Sequence, residues 1–392
     1  MRIFVINQWL PPDPAPTAVL AGEVADALRA AGHEVVLVSR ARADALPPSD
    51  AARLVIDHLP AGRTGLLAKL AAWPRFAWRM RRALRERLRA GDCVLVCSDP
   101  PLAWPIAVAA ARRAGARCVH WSQDVYPEVV AAHWPAPWLR RLLAPLRAWR
   151  DRWLRRADCV VAISEGMGAR LRAAGASVAV VPNWARDEQV RARPHGDSQL
   201  RRAHFRDDEF VLMYSGNLGR VHEFETLLGA ARLLRGEPRI RFLVVGAGPR
   251  LPALREAVAR EALGAFIFLP LQSSAQLADT LAAGDAHLVS LRPAFEGLVL
   301  PSKLYGIAAV GRPVLFCGDP QGETAHLVRA HDCGIVVAEG AAAELATALR
   351  TWVDDRPGCV RMGRNARALL EAQALRAQAL ARWREVVEGR AA

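Results

Sequence analysis

The sequence predicts an α/β chain of two doubly wound, Rossmann-like domains, and three observations carry that prediction. At 392 residues the chain exceeds one comfortable core and suits two domains of about 150–200 residues each. Apolar runs of strand length recur throughout, each followed by a turn and a longer segment of helical periodicity, the pattern of βαβ units in a parallel sheet. The runs form two series separated by ARDEQVRARPHGDSQLRRAHFRDDE, a polar stretch short of apolar residues that reads as the link, with the boundary near 190–205.

The first series opens on RIFVIN, continues through the periodic TAVLAGEVADALRAAG, and returns to EVVLVSR. Further strands are expected at CVLVCS (93–98), ARCVHWS (116–122), DCVVAIS (158–164) and VAVVPN (178–183), each short and rich in β-branched residues. The second series runs FVLMYSGN, IRFLVVGAG, AFIFLP, AHLVSL, PVLFC and GIVV. Domains are therefore expected at 1–195 and 205–370, with 371–392 as a C-terminal helix. Ligands of open parallel sheets bind beyond the carboxyl ends of the strands, so two such sheets facing one another place a cleft between the domains.

Composition removes several classes. The chain is 52% hydrophobic without low-complexity tracts, and no run of 18 apolar residues offers a membrane span. The N-terminus reads at once as a strand and not as a secretory signal, which implies a cytoplasmic protein. Seven cysteines include no CxxC and no histidine pair at ligand spacing, so buried free thiols are expected instead of a metal site or a disulfide framework. The loop after the first strand, NQWLPPDPAPT, lacks G-x-G-x-x-G, which counts against a dinucleotide cofactor there; the VVGAGP of the second domain is a weak signal alone.

Charge is uneven. The net +14 divides into 29 basic and 18 acidic side chains in residues 1–200, against 24 and 21 in residues 201–392, pointing to an anionic partner for the first half. Two segments concentrate it: LLAKLAAWPRFAWRMRRALRERLR (66–89) and WLRRLLAPLRAWRDRWLRR (138–156). In the second, Leu139, Leu142, Leu143, Leu146, Trp149 and Trp153 recur at three- and four-residue steps and seven arginines fall mainly elsewhere, with Pro145 expected to kink the helix or begin a new one. Such helices lie in anionic membrane interfaces. The same pattern also suits ordinary helices whose apolar stripe packs on a sheet. Nucleic acid is disfavoured, because the tryptophans lie on leucine stripes and not on a sheet face where bases stack.

Only two of the 53 basic side chains are lysines, Lys69 and Lys303, and Lys303 stands in FEGLVLPSKLYGIAAVGRPVLF. That segment follows MYSGNLGRVHEFETLLGAARLL, VVGAGP and LPLQSSAQLADTLAAGDAHLVSL, while the first domain carries WLPPDP with GHEVVLVS, WSQDVYPE, DCVVAISEGM and VVPNWA. This ordered set, covering nearly the whole chain, resembles the family-4 retaining glycosyltransferases of the GT-B fold. Within them it is most similar to the subgroup that builds colanic acid, O-antigen and other envelope polysaccharides on a lipid-linked acceptor.

The resemblance implies transfer of a sugar from a nucleotide-diphosphate donor, held by the second domain, to a polyprenyl-diphosphate-linked glycan acceptor held by the first, with anomeric configuration kept and no metal. It further implies a C-terminal helix crossing back to the first domain, with Trp383 packed between domains. The charge on the leaving diphosphate then falls to side-chain cations, backbone N–H groups and a helix N-terminus. The Arg and Lys that the family usually carries after the first strand of the second domain are here Asn217 and His222, and Lys303 stands where the second of its two glutamates falls, with Glu296 near the first.

On this reading Lys303 supplies the missing charge from the first turn of a helix opened by Pro301 and Ser302, preceded by Leu300, with Ser302 capping it. Arg220 and Arg292 are additional cations, or structural. Gly216 and Gly219 let backbone amides approach phosphate, or form a tight turn. Gly246 and Gly248 line the nucleotide, or are a plain turn. Glu296 bonds donor hydroxyls, or is a solvated loop carboxylate. In the first domain Asp124 and Glu128 follow a strand; Gln123 replaces the family's usual His, so Asp124 is given an acceptor-binding or structural role. Ser164, Glu165 and Asn183 are placed on the hinge side of the cleft. Localisation follows as cytoplasmic and peripheral on the inner face of the plasma membrane. The other readings are a nucleotide-sugar epimerase of the same fold, which needs no lipid surface, and a non-catalytic peripheral scaffold, which leaves Glu296 and Lys303 unexplained.

Overall fold

A computed structural model describes the chain except for residues 12, 14, 43–52, 60–65, 102, 186–189 and 391–392. It divides into two compact units, Met1–Pro182 with Ala377–Ala392, and Asn183–Arg376. The first contains β1 (Arg2–Ile6), α1 (Pro16–Ala30), β2 (Glu34–Arg42), β3 (Arg53–Leu59), α2 (Leu66–Arg87), β4 (Cys93–Cys97), α3 (Ala103–Ala114) and β5 (Arg117–Ser122). It continues with α4 (Glu128–His133), α5 (Pro137–Leu154), β6 (Cys159–Ala162), α6 (Glu165–Ala173) and β7 (Val178–Val180). Its seven strands lie in the order β3-β2-β1-β4-β5-β6-β7, with parallel pairing throughout. The central strands are buried on both faces, as helices on either side of a parallel sheet require.

The second unit contains α7 (Gln199–His204), β8 (Phe210–Asn217), α8 (Glu225–Leu233), β9 (Ile240–Ala247), α9 (Leu251–Arg260), β10 (Phe266–Leu269), α10 (Leu277–Ala282) and β11 (Ala286–Ser290). It is completed by α11 (Lys303–Ala309), β12 (Val314–Gly318), α12 (Glu323–Ala330), β13 (Gly334–Ala338), α13 (Ala342–Asp354) and α14 (Arg356–Gln373). The strand order is β10-β9-β8-β11-β12-β13, again parallel. Each order reverses direction once, between β1 and β4 and between β8 and β11, the positions where doubly wound sheets open a crevice. A last helix, α15 (Arg376–Glu388), packs in the first unit: Trp383 lies 4.3 Å from Trp121, ring to ring, and Arg117 donates to the carbonyl of Val386.

Every strand expected from the apolar runs is present, and one more was hidden. RLVIDHL forms the edge strand β3, a short apolar run, Leu54–Val55–Ile56, interrupted by Asp57 and His58. The polar stretch read as a linker is held to the second unit instead, and the division falls earlier, at Pro182–Asn183. Ser198 caps α7 and donates to the carbonyl of Asp279. Arg201 is buried against Asp285 at 2.8 Å, and the Asp285 carboxylate also accepts from the backbone N–H of Val211 and from Arg356. Among the described residues of the stretch, Ser198, Arg201 and Glu209 are polar side chains with buried partners, while its other charged residues are mostly exposed. All seven cysteines are buried free thiols.

The two arginine-rich segments separate in the fold. α2 buries the stripe Ala72, Phe76, Met80, Ala83 and Leu84, the behaviour of an ordinary sheet-packing helix, and its side chains at 66–71 lie outside the described residues. α5 runs unbroken through Pro145 with no new helix at that point, and only Arg150 and Leu154 are buried. Arg150 grips Glu128 of α4 through two hydrogen bonds of 2.7 and 3.0 Å and donates to the carbonyl of Tyr126, fixing the C-terminal end of α5. No helix of the described residues is long and apolar enough to cross a membrane.

Candidate active site

In the second sheet, β8 stays paired with β9 as far as Asn217, but its pairing with β11 ends at Met213–His287. The carboxyl ends of β8 and β11 therefore part, and side chains from both converge where they separate. Lys303, the first residue of α11, reaches into this point. Its Nζ donates to the Tyr214 hydroxyl at 2.7 Å, to Nε2 of His222 at 3.0 Å and to the Asn217 carbonyl at 3.3 Å, and it sits 4.5 Å from the Tyr214 ring centroid. The three ammonium protons thus meet three neutral acceptors.

The tautomer of His222 follows from its other nitrogen. Nδ1 lies 2.5 Å from the Ser290 carbonyl, which can only accept, so Nδ1 carries the proton and Nε2 is the acceptor facing the ammonium. Burial, with Lys303 beside it, lowers the His222 pKa to about 4. Burial likewise lowers Lys303 to about 7, and no acidic side chain among the described residues offsets it. The site therefore holds a part-buried amine, only part-protonated near neutral pH and without a carboxylate partner among the described residues, whose charged form an entering anion favours.

The glycines make this arrangement possible. Gly216 has φ +121°, and a Cβ there would stand 2.9 Å from Cε of Lys303. Gly216→Ala is expected to push the lysine off its acceptors and lower donor turnover about tenfold, roughly 1.4 kcal/mol, as steady-state kinetics would measure. A Cβ at Gly246 would stand 2.0 Å from the Gly216 carbonyl oxygen, and one at Gly248, with φ +140°, 2.6 Å from Asn217 Oδ1. These two glycines seat the loop that presents Asn217, a backbone packing role. Gly219 has only ordinary contacts, with Asn217 and His222.

Further charged side chains stand in the loops that follow β8 and β11. Arg292 follows β11 and lies 3.8 Å from Glu339, and the exposed Arg220 lies in the loop after β8. Glu296 accepts from the backbone N–H of Glu323 at 2.7 Å, so its carboxylate is held at the N-terminus of α12, in space left by Gly322. Leu300 is half-buried ahead of Pro301. Ser302 does not cap α11: its backbone is already helical, with φ −56° and ψ −14°, and its side chain makes no cap bond. With only seven residues, α11 contributes lysine and little dipole.

Three members of the site were not singled out from the sequence. Tyr214 shares a strand face with Gly216, two residues on, and was signalled by that alternation alone. Arg250 opens α9, and its charge adds to the burial and the Lys303 charge that lower His222; burial and Glu223 raise Glu339, which Arg292 and Arg250 partly oppose. Glu223 is buried, accepts from the Thr226 N–H and Cys317 thiol, and its own N–H donates to Ser290.

In the first unit, Asp124 follows β5 and lines a small cavity with Ser98, His120, Ser122 and Tyr126. Burial and the neighbouring Asp99 raise its pKa to about 6. His120 is no base: stacked 4.3 Å from Trp104 and bonded through Nδ1 to the Val96 carbonyl, it is held near pKa 3 by burial. Ser164 has a helix-capping role, accepting from the Met167 N–H; Glu165 is exposed beside Arg172, and Asn183 is buried at the first position of the second unit. Glu128 belongs to the Arg150 clamp.

Comparison with known proteins agrees with this organisation. Residues 17–184 match the glycosyl transferase 4-like domain, and residues 197–369 match the glycosyl transferases group 1 domain. The chain is 36% identical over 153 residues, 38% of its length, to the putative colanic acid biosynthesis glycosyl transferase WcaI of Escherichia coli. It is 26% identical over 251 residues, 62% of its length, to the probable glycosyltransferase WbjE of Pseudomonas aeruginosa. The matched stretches span 36% and 62% of those two relatives. Anabaena HepE, solved in complex with UDP, superposes with a TM-score of 0.72 at 17% identity, covering 99% of this chain and all of that one.

Proposed function

From the premise that the chain belongs to the GT-B glycosyltransferases, a 4-like domain followed by a group 1 domain, we propose that it moves a sugar from a nucleotide-diphosphate donor to a polyprenyl-diphosphate-linked glycan in envelope polysaccharide synthesis. The observation that carries the reading is Lys303, a part-buried amine whose hydrogen-bond partners among the described residues are three neutral acceptors, where β8 and β11 part. A diphosphate is the anion of the right chemistry for that position. The HepE complex with UDP supports a donor of this class, and the colanic acid relative supports the role in polysaccharide assembly.

In this mechanism Lys303 meets the leaving diphosphate as the glycosidic bond to it breaks, and the second charge that develops there is what the ammonium stabilises. Arg250, Arg292 and Arg220 add positive potential without a metal ion. Glu296, oriented by the Glu323 N–H, accepts from a donor hydroxyl. Configuration is retained by attack from the face the diphosphate leaves, and the departing phosphate takes the acceptor proton. Asp124 binds the acceptor.

The test is thermal stabilisation by UDP, GDP and dTDP. A nucleoside diphosphate at about 100 times its dissociation constant should stabilise the second unit by about 2.7 kcal/mol. One base should be favoured over the other two. Absence of any shift with all three would overturn the donor site.

A further inference from the structure

α5 presents an amphipathic face to solvent that the fold leaves uncovered. Trp138 is 66% exposed, Leu142 65%, Leu146 41% and Trp149 40%. Steps of four, four and three residues place all four on one stripe, about 16 Å long at the helical rise. Large apolar side chains aligned in this way are not the scattered exposures normal for a surface. α2 carries a similar composition and, over its described side chains, buries the stripe from Ala72 to Leu84, so uncovered apolar surface is not general to the arginine-rich helices.

Beside the stripe, α2, α3 and the end of α5 enclose an open groove of about 490 Å³. Arg81 and Arg85 line it from α2, Arg112 and Arg113 from α3, and Arg156 from just beyond α5. Trp149 and Trp153 form its rim, the guanidinium of Arg156 lying 5.0 Å from the Trp153 ring centroid. No acidic side chain among the described residues lines the groove. Trp78 of α2, 61% exposed, stands three and seven residues before Arg81 and Arg85, hence on the same helix face.

We infer that the stripe of α5 and the arginine groove together form a docking surface for a bilayer bearing anionic phospholipids. The tryptophans and leucines enter at headgroup depth while the arginines take lipid phosphates. Charge selects this occupant. A second copy of the chain would set the same five arginines against themselves. The inference rests on the first unit alone and stands apart from the donor site, so vesicle binding and nucleotide binding fail independently.

The experiment is sedimentation with vesicles of phosphatidylcholine, with or without about one-third phosphatidylglycerol, comparing the full chain with Leu142→Asp/Leu146→Asp and Arg112→Glu/Arg113→Glu. The wild type should sediment with the anionic vesicles and not the neutral ones. Each double variant should lose about tenfold or more in partitioning, with nucleotide-dependent stabilisation unchanged as the measure of folding. Wild type that ignores anionic vesicles, binds both kinds equally, or binds undiminished in the variants would overturn the proposal. So would a self-association of the free protein that both variants abolish, which would make the face an interface between copies.

Discussion

Lys303→Ala is expected to lower donor turnover by about 10²–10³-fold, or about 2.7–4 kcal/mol, the range found when one preorganised group facing a developing charge is removed. The loss should appear in kcat and kcat/KM together, because the leaving diphosphate gains its charge only as the glycosidic bond breaks. A rise in KM alone would reduce Lys303 to a ground-state contact and sink the catalytic assignment. Lys303→Arg should not restore the rate. The three acceptors Tyr214, His222 and Asn217 surround a compact ammonium, and Gly216 is already as close as a side chain allows. A planar fork has neither the shape nor the room. His222→Ala, by comparison, removes an acceptor and leaves the charge, so its effect should be smaller.

Lys303 was legible as an oddity of composition, one of two lysines among arginines, and its helix start was marked by Pro301. What the sequence could not supply was its company. Tyr214 and Ser290 lie on different strands that become neighbours only because the sheet order puts β11 beside β8. Arg250 enters through a third strand, β9. Contacts among three crossovers are tertiary facts, invisible to spacing along the chain. Ser302 shows the opposite failure: a good capping residue type at the right place, whose helical backbone turns its side chain away from the task. α5 shows a third. Periodicity identifies an apolar stripe and says nothing about what covers it, and two helices of like composition, α2 and α5, resolved that question in opposite ways. The strands were plain in the sequence because a fully buried parallel strand has nowhere to place a polar residue; the edge strand β3, whose apolar run is cut short by Asp57 and His58, was not.

The stability of the protein should itself report the unpaired lysine. An ordinary lysine titrates near 10.4 in the unfolded chain, whereas burial holds Lys303 at about 7 in the folded one. Below pH 7 both states carry the proton and the fold bears the whole cost of enclosing the charge. Between pH 7 and about 10 the unfolded chain binds more protons, so stability rises with pH through that window. From pH 6 to 8.5 the wild type should therefore gain about 2 kcal/mol relative to Lys303→Met, measured by denaturant unfolding at matched pH values. The sign is the discriminating part. A lysine kept for structure would have an acidic partner, a raised pKa and a difference that falls as pH rises; Lys303 has Tyr214, His222 and a carbonyl. Parallel profiles of the two proteins would mean that the ammonium is solvated and not enclosed. Bound nucleoside diphosphate should flatten the wild-type slope, because the phosphate charge restores the proton that burial removes, and it should leave the Lys303→Met profile as it was. A site destabilised when empty and relieved by its substrate's anion is the physical reason for a lysine here without a counter-ion.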